Sequence, residues 1–149
     1  MERSLSRPGG VPRTPLSEEL PNWDNLGALD RAAFQGFWRM DSVGLKEALK
    51  ATSRSVILTR QTTFGIVGYV IVGAQWGVAY LQRLAVHPDH RGKDIGSDLV
   101  RGAINWARRT TSQVFVLNVR DENTAAQRLY EKEGFSATGT KLRILRYVL

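Results

Sequence analysis

Apolar residues recur along this chain with two different periods, and the switches between them mark out its elements. From Asn22 to Phe37 they fall at Leu26, Leu29, Ala33 and Phe37, spacings of three and four that line one face of a helix. A second, shorter helix is predicted from Asp41, whose carboxyl suits an N-cap, through Val43, Leu45, Ala48 and Leu49 toward Thr52. The texture then turns to strands: SVILTR at 55–60, GIVGYVIVG at 65–73 and GVAYLQRLAV at 77–86. Their short separations predict an antiparallel meander. Ile95, Leu99, Ala103 and Trp106 define an amphipathic helix over 95–109. The run QVFVLNV at 113–119 is apolar nearly throughout, as expected of a central strand covered on both faces. A helix from Asn123 to Glu133 ends at Gly134, a natural C-cap, and FSATG and KLRILRYVL are expected to finish the sheet.

Strand 77–86, helix 95–109 and strand 113–119 form a βαβ unit, so those two strands should be parallel neighbours joined by a right-handed crossover. The expected class is α/β: a mixed, mostly antiparallel sheet with one parallel pair and flanking helices. Composition sharpens this. A chain of 149 residues suits one domain. Pro8, Pro12, Pro15 and Pro21, with Gly9 and Gly10, make residues 1–21 a flexible arm expected to carry no chemistry, leaving 22–149 as the domain. The absence of cysteine removes disulfides, thiolate metal sites and a cysteine nucleophile, and no metal site is expected.

The net charge of +7 favours anionic partners, whether nucleic acid, a phosphorylated cofactor or acidic lipid. Specific nucleic-acid binding has no support beyond that charge, since helix-turn-helix spacing, RNP-like aromatics and zinc ligands are lacking. No run approaches the roughly 18 apolar residues of a membrane span, and MERSLSRPGGVPRT lacks the apolar segment of a secretory signal. The expectation is a cytoplasmic protein with no membrane partner.

Candidate chemistry centres on LQRLAVHPDHRGKDIGSDLV. Helix N-termini beyond the carboxyl ends of parallel strands offer unpaired N–H groups and partial positive charge. Arg91 and Lys93 add cations there, and Gly92 and Gly96 permit conformations or close approaches that a Cβ would obstruct. A phosphate is the obvious guest. The segment resembles the acetyl-CoA-binding segment of the GNAT N-acetyltransferase superfamily, whose pattern is Arg/Gln-x-x-Gly-x-Gly/Ala. Arg91 and Gly96 match its first and last positions, while Asp94 stands at the middle glycine. NVRDENTAAQRLYEKEGF resembles the family's later cofactor region through Asn123, Ala125, Ala126, Leu129-Tyr130 and Gly134-Phe135.

The resemblance implies that the parallel pair splays apart and that pantetheine lies in the gap against the backbone of Leu84, Ala85 and Val86. It places a pyrophosphate among the amides of Arg91, Gly92, Lys93, Asp94, Ile95, Gly96 and Ser97, with Asn123 bonding the cofactor arm or capping the last helix. Tyr130 is the implied catalytic acid that protonates the departing CoA thiolate. Asn118 and Gln82 cannot serve as bases, and His87 and His90 are expected to be exposed. Acetyl-CoA is the implied cosubstrate, and a small-molecule amine or a protein N-terminus the acceptor, attacked directly without a cysteine acyl-enzyme. The first two helices would wall the acceptor, through AFQGFWRMDS. Family members commonly begin with a strand before the first helix; here it is expected to be missing or displaced. Asp94 leaves a second reading open, a degenerate domain that binds CoA weakly and does not catalyse. A carboxylate about 5 Å from a phosphate charge costs on the order of 0.8 to 3 kcal/mol. Its side chain could pair with Lys93, or it could cap the helix and take the N–H groups meant for the ligand. A homodimer is left open.

Overall fold

The computed structural model describes residues 1–138. Strands β1 (Glu2–Ser4), β2 (Arg54–Thr62), β3 (Gly65–Gln75), β4 (Val78–Val86) and β5 (Val114–Leu117) form one sheet in the order β1-β5-β4-β3-β2. β2, β3 and β4 make the expected antiparallel meander, and β4 and β5 are the expected parallel pair. Helices α1 (Trp23–Ala33) and α2 (Ser42–Lys50) cover one face, and α3 (Ile95–Arg108) and α4 (Thr124–Lys132) the other.

Two apolar layers result, divided by the alternation of β3. Tyr69 and Ile71 point into a layer with Leu26, Leu29 and Leu45 of the first two helices. Val70 and Val72 point the other way, to Leu99, Val100, Ala103, Phe115 and Tyr130. Leu99 is fully buried at the centre of that layer, where truncation to Ala would cost about 2–5 kcal/mol. α3 packs directly on β3 at Gly68, where a Cβ would come within 2.9 Å of Ile95. No helix among the described residues is long and apolar enough to cross a membrane.

Two local expectations change, and a third is narrowed to one of its alternatives. The first helix ends at Ala33 rather than Phe37, because Phe34 takes extended backbone and Gly36, at φ +50, turns the chain into a short 3-10 segment, Gly36–Trp38. The arm over 1–21 is docked and structured: Arg3 and Leu5 are buried, and Arg3 donates through Nε to the carbonyl of Glu133 at 2.8 Å. Of the outcomes left open for the strand before the first helix, missing or displaced, the structure has the second. β1 lies antiparallel to β5, on the edge away from β2. Beside β2 the arm contributes one isolated bridge, Ser17 to Thr59, closed by two 2.9 Å backbone hydrogen bonds. Of the two C-terminal segments, Ser136 bridges Glu2, while Gly139 and 141–149 lie outside the described residues.

Candidate active site

β4 carries one extra residue, Gln82, against β3, since Ile71 pairs with Arg83 but Val72 with Leu81. Such a bulge bends and twists its strand. Pairing between β4 and β5 stops just there, at Leu81 and Leu117. Beyond it β4 stays paired to β3 as far as Val86 but has no ladder partner on its β5 side, so a V-shaped gap opens between the parallel strands. The gap is the floor of a cleft of about 790 Å³, within the size range of small-molecule sites. Leu84, Ala85 and Val86 form part of its wall.

The turn after β4 forms the next wall. His87 accepts through Nδ1 from the Asp89 N–H at 3.1 Å, and its ring meets that of His90 edge-on at 5.8 Å, so both histidines are half-buried rather than exposed. Gly92 at φ +80 and Asp94 at φ +60 are left-handed and swing the chain into α3. Asp94 tolerates that conformation better than most residues. As the residue before α3 it makes no capping hydrogen bond; its Oδ2 lies 3.2 Å from Nη1 of Arg13 instead of pairing with Lys93. The amides of Ile95, Gly96 and Ser97 therefore open toward the cleft without a side-chain cap, a donor set suited to an anion. Gly96 also allows close contact with α4, because a Cβ there would stand 3.2 Å from Leu129.

Arg91, Gly92, Asp94, Ile95, Gly96, Ser97 and Asn123 all line the cleft. Lys93 does not, and Arg91 spends its guanidinium on the carbonyl of Ala33, 3.2 Å away at the end of α1. Asn123 caps α4, its side-chain oxygen accepting from the Ala126 N–H at 3.1 Å. Tyr130 is not on the wall. It is 6% exposed, its ring set against Phe135 at a centroid distance of 5.8 Å, while Ala126 and Leu129 beside it face the cleft. Burial raises the Tyr130 pKa above the ordinary tyrosine value.

Behind the opposite wall, formed by Phe34, Gln35 and Trp38, lies a group that sequence reasoning missed. Asp30 of α1 is fully buried and receives Arg83 through Nε at 2.7 Å and Nη2 at 3.0 Å, the Tyr69 hydroxyl at 2.5 Å and the Met40 N–H at 2.6 Å. Nη2 of Arg83 also donates to the carbonyl of Trp38 at 2.6 Å, and the guanidinium lies 3.9 Å from the Phe34 ring centroid. Burial, then the hydrogen bond to Asp30, raises the Tyr69 pKa. Burial disfavours the charge on Arg83, but the hydrogen bonds and charges of Asp30 and Tyr69 together outweigh it and its pKa is raised. Arg83 and Asp30 thus pin the segment that carries Phe34, Gln35 and Trp38 into the cleft. Arg120 lies over the Trp38 ring at 4.3 Å and pairs with Glu122 at 3.5 Å. The signal in the sequence was an aspartate set among Leu26, Leu29 and Ala33 on an otherwise apolar helix face.

Comparison with known proteins agrees with this architecture. The Escherichia coli ribosomal-protein-S18-alanine N-acetyltransferase superposes with a TM-score of 0.69 at 18% identity, over 79% of this chain and 74% of that one. A Bacillus anthracis protein provisionally named a streptothricin acetyltransferase, solved in complex with acetyl coenzyme A, superposes with a TM-score of 0.55 at 26% identity, over 59% of this chain and 51% of that one. In sequence, a Bacillus subtilis (strain 168) protein provisionally named a [ribosomal protein bS18]-alanine N-acetyltransferase is 25% identical over 122 residues, 82% of this chain and 80% of the relative. The uncharacterized N-acetyltransferase YobR of the same organism is 38% identical over 60 residues, 40% of this chain and only 24% of its own length. The model of the GNAT acetyltransferase family matches residues 23–135, from the start of α1 past the end of α4, and the chain belongs to that family.

Proposed function

We propose that the chain is an N-acetyltransferase that moves an acetyl group from acetyl-CoA, the cosubstrate of its family, to an amine acceptor by direct attack. The observation that carries this reading is the uncapped amino end of α3 opening into the gap between β4 and β5. A competing carboxylate at those amides would favour the non-catalytic reading, and Asp94 is turned to Arg13 instead.

The donor set fits the cosubstrate. The amides of Ile95, Gly96 and Ser97 hold the diphosphate, aided by the helix dipole. The unpartnered edge of β4 from Leu84 to Val86 offers alternating donors and acceptors to the amide-bearing pantetheine arm. An N–H near Val86 polarises the thioester carbonyl. The amine nitrogen forms its bond to the carbonyl carbon as the carbon–sulfur bond breaks. The amine gives up a proton to solvent, the thiolate takes one from Tyr130, whose raised pKa keeps it protonated at neutral pH, and the phenolate then regains a proton from solvent. No cysteine is present to carry the acetyl group in between.

The acceptor enters from the side of Phe34, Trp38, Arg120 and Glu122. Relatives named for acceptors as different as ribosomal protein bS18 and L-amino acids leave both a protein N-terminus and a small amine in the acceptor class. The cytoplasm, where acetyl-CoA is abundant, is the compartment this chemistry fits. Calorimetry of acetyl-CoA against the chain should show one saturable site. A screen of peptide N-termini, amino acids, polyamines and aminoglycosides should then release CoA with one class. Saturable binding with no acceptor turned over would favour the non-catalytic reading, and no binding would sink both.

A further inference from the structure

The arm reaches the diphosphate cradle by running along α3 toward its amino end. Arg108 donates to the carbonyl of Leu5 at 3.1 Å, and Asn105, one turn nearer that end, to the carbonyl of Gly10 at 3.1 Å. The backbone N–H groups of Arg13 and Thr14 then close on the Asp98 carboxylate at 2.9 and 3.4 Å. Asp98 is 1% exposed and is also paired with Arg60, so it is a fixed anchor inside the first turn of α3. The Arg13 backbone is held there whatever its side chain does. The side chain, 73% exposed, extends to Asp94.

We propose that Arg13 is a cosubstrate-binding residue, supplied by the N-terminal arm to neutralise Asp94 and present N–H donors where the diphosphate of acetyl-CoA binds. This rests on the acetyl-CoA reading above. Asp94 alone would oppose a diphosphate at the adjacent amides. Paired with Arg13 it contributes no net charge, and it acts as a bracket that holds a guanidinium beside the loop. The guanidinium carries five N–H donors, more than one carboxylate uses, and the remainder are available to phosphate oxygens. The left-handed backbone at φ +60 favours Gly, Asn or Asp at this position, and of these only Asp fixes a cation.

The test is calorimetry of CoA against the native chain, Arg13→Gln, Arg13→Lys and the double variant Arg13→Gln with Asp94→Asn, beside the melting midpoint of each unliganded protein. Arg13→Gln should raise the Kd about three- to tenfold, exposing an uncompensated carboxylate. Arg13→Lys should stay within about twofold of native, and the double variant should bind more tightly than Arg13→Gln but less tightly than native, with unliganded midpoints unchanged. An unaltered Kd in Arg13→Gln overturns the proposal, and so does a double variant as weak as the single one. A large drop in the Arg13→Gln midpoint would make the residue structural and also overturn it. Failure of the native chain to bind CoA would strike the acetyl-CoA reading itself, a result separable from all of these.

Discussion

Burial keeps the Tyr130 hydroxyl protonated well beyond neutral pH, but the ring packs with Phe135 behind the residues that line the cleft. A proton donor in that position acts only if the thiolate sulfur comes to it past Ala126 and Leu129. Tyr130→Phe keeps the shape of the ring, so the core should survive. Turnover should fall about a hundredfold while the Kd for acetyl-CoA stays within about twofold. Turnover equal to native would remove Tyr130 from proton transfer. Residue identity made the backbone of Asp94 legible, because aspartate tolerates a left-handed φ. It did not disclose the partner. Lys93 is the neighbour in sequence, whereas Arg13 arrives through an arm whose path is set by Asp98 and Asn105.

At the scale of elements, the periodicities located both helical layers and the meander, because each buries one face and burial imposes the period. They failed where tertiary contacts set the backbone. Phe37 continues the apolar spacing of α1, yet the helix stops at Ala33, since Arg83 on β4 holds the carbonyl of Trp38 and Asp30 holds the N–H of Met40. No local pattern encodes a bond from a strand some forty-five residues later. Asp30→Asn would leave the Arg83 guanidinium half-buried without its counter-charge. We expect about 3 kcal/mol of lost stability in urea unfolding. The same variant should raise the acceptor KM, because Phe34 and Trp38 lose their hold, while acetyl-CoA affinity remains. Equal losses for both substrates would show that the network supports the fold alone.

For the whole molecule, the two raised tyrosines give stability an alkaline limit. Tyr69 and Tyr130 bind their protons more tightly folded than unfolded. Their contribution is therefore complete below the unfolded tyrosine pKa of about 10 and is lost as pH rises through and above it. The urea midpoint should fall above about pH 10, with Tyr69 and Tyr130 becoming phenolates only as the fold opens. Phenolate absorbance rising well before the loss of helical signal, by the amount due to both residues, would contradict this. The family and its sheet were legible from two cofactor segments. The route of the arm was not, because prolines and glycines describe a chain without its own secondary structure and say nothing of what it docks against.

That route also fixes an order of events. Arg3 pairs with Phe115 and Glu2 with Ser136, while Ser17, only a short way along the same arm, bridges Thr59 on the other side of the sheet. One segment thus spans the sheet from edge to edge. During synthesis residues 2–4 must wait for residues 114–116, more than a hundred positions later, before they can pair. Contacts that distant in sequence close late and slow a folding reaction. The arm that carries Arg13 to the cradle is then seated at its far end only after β5 exists.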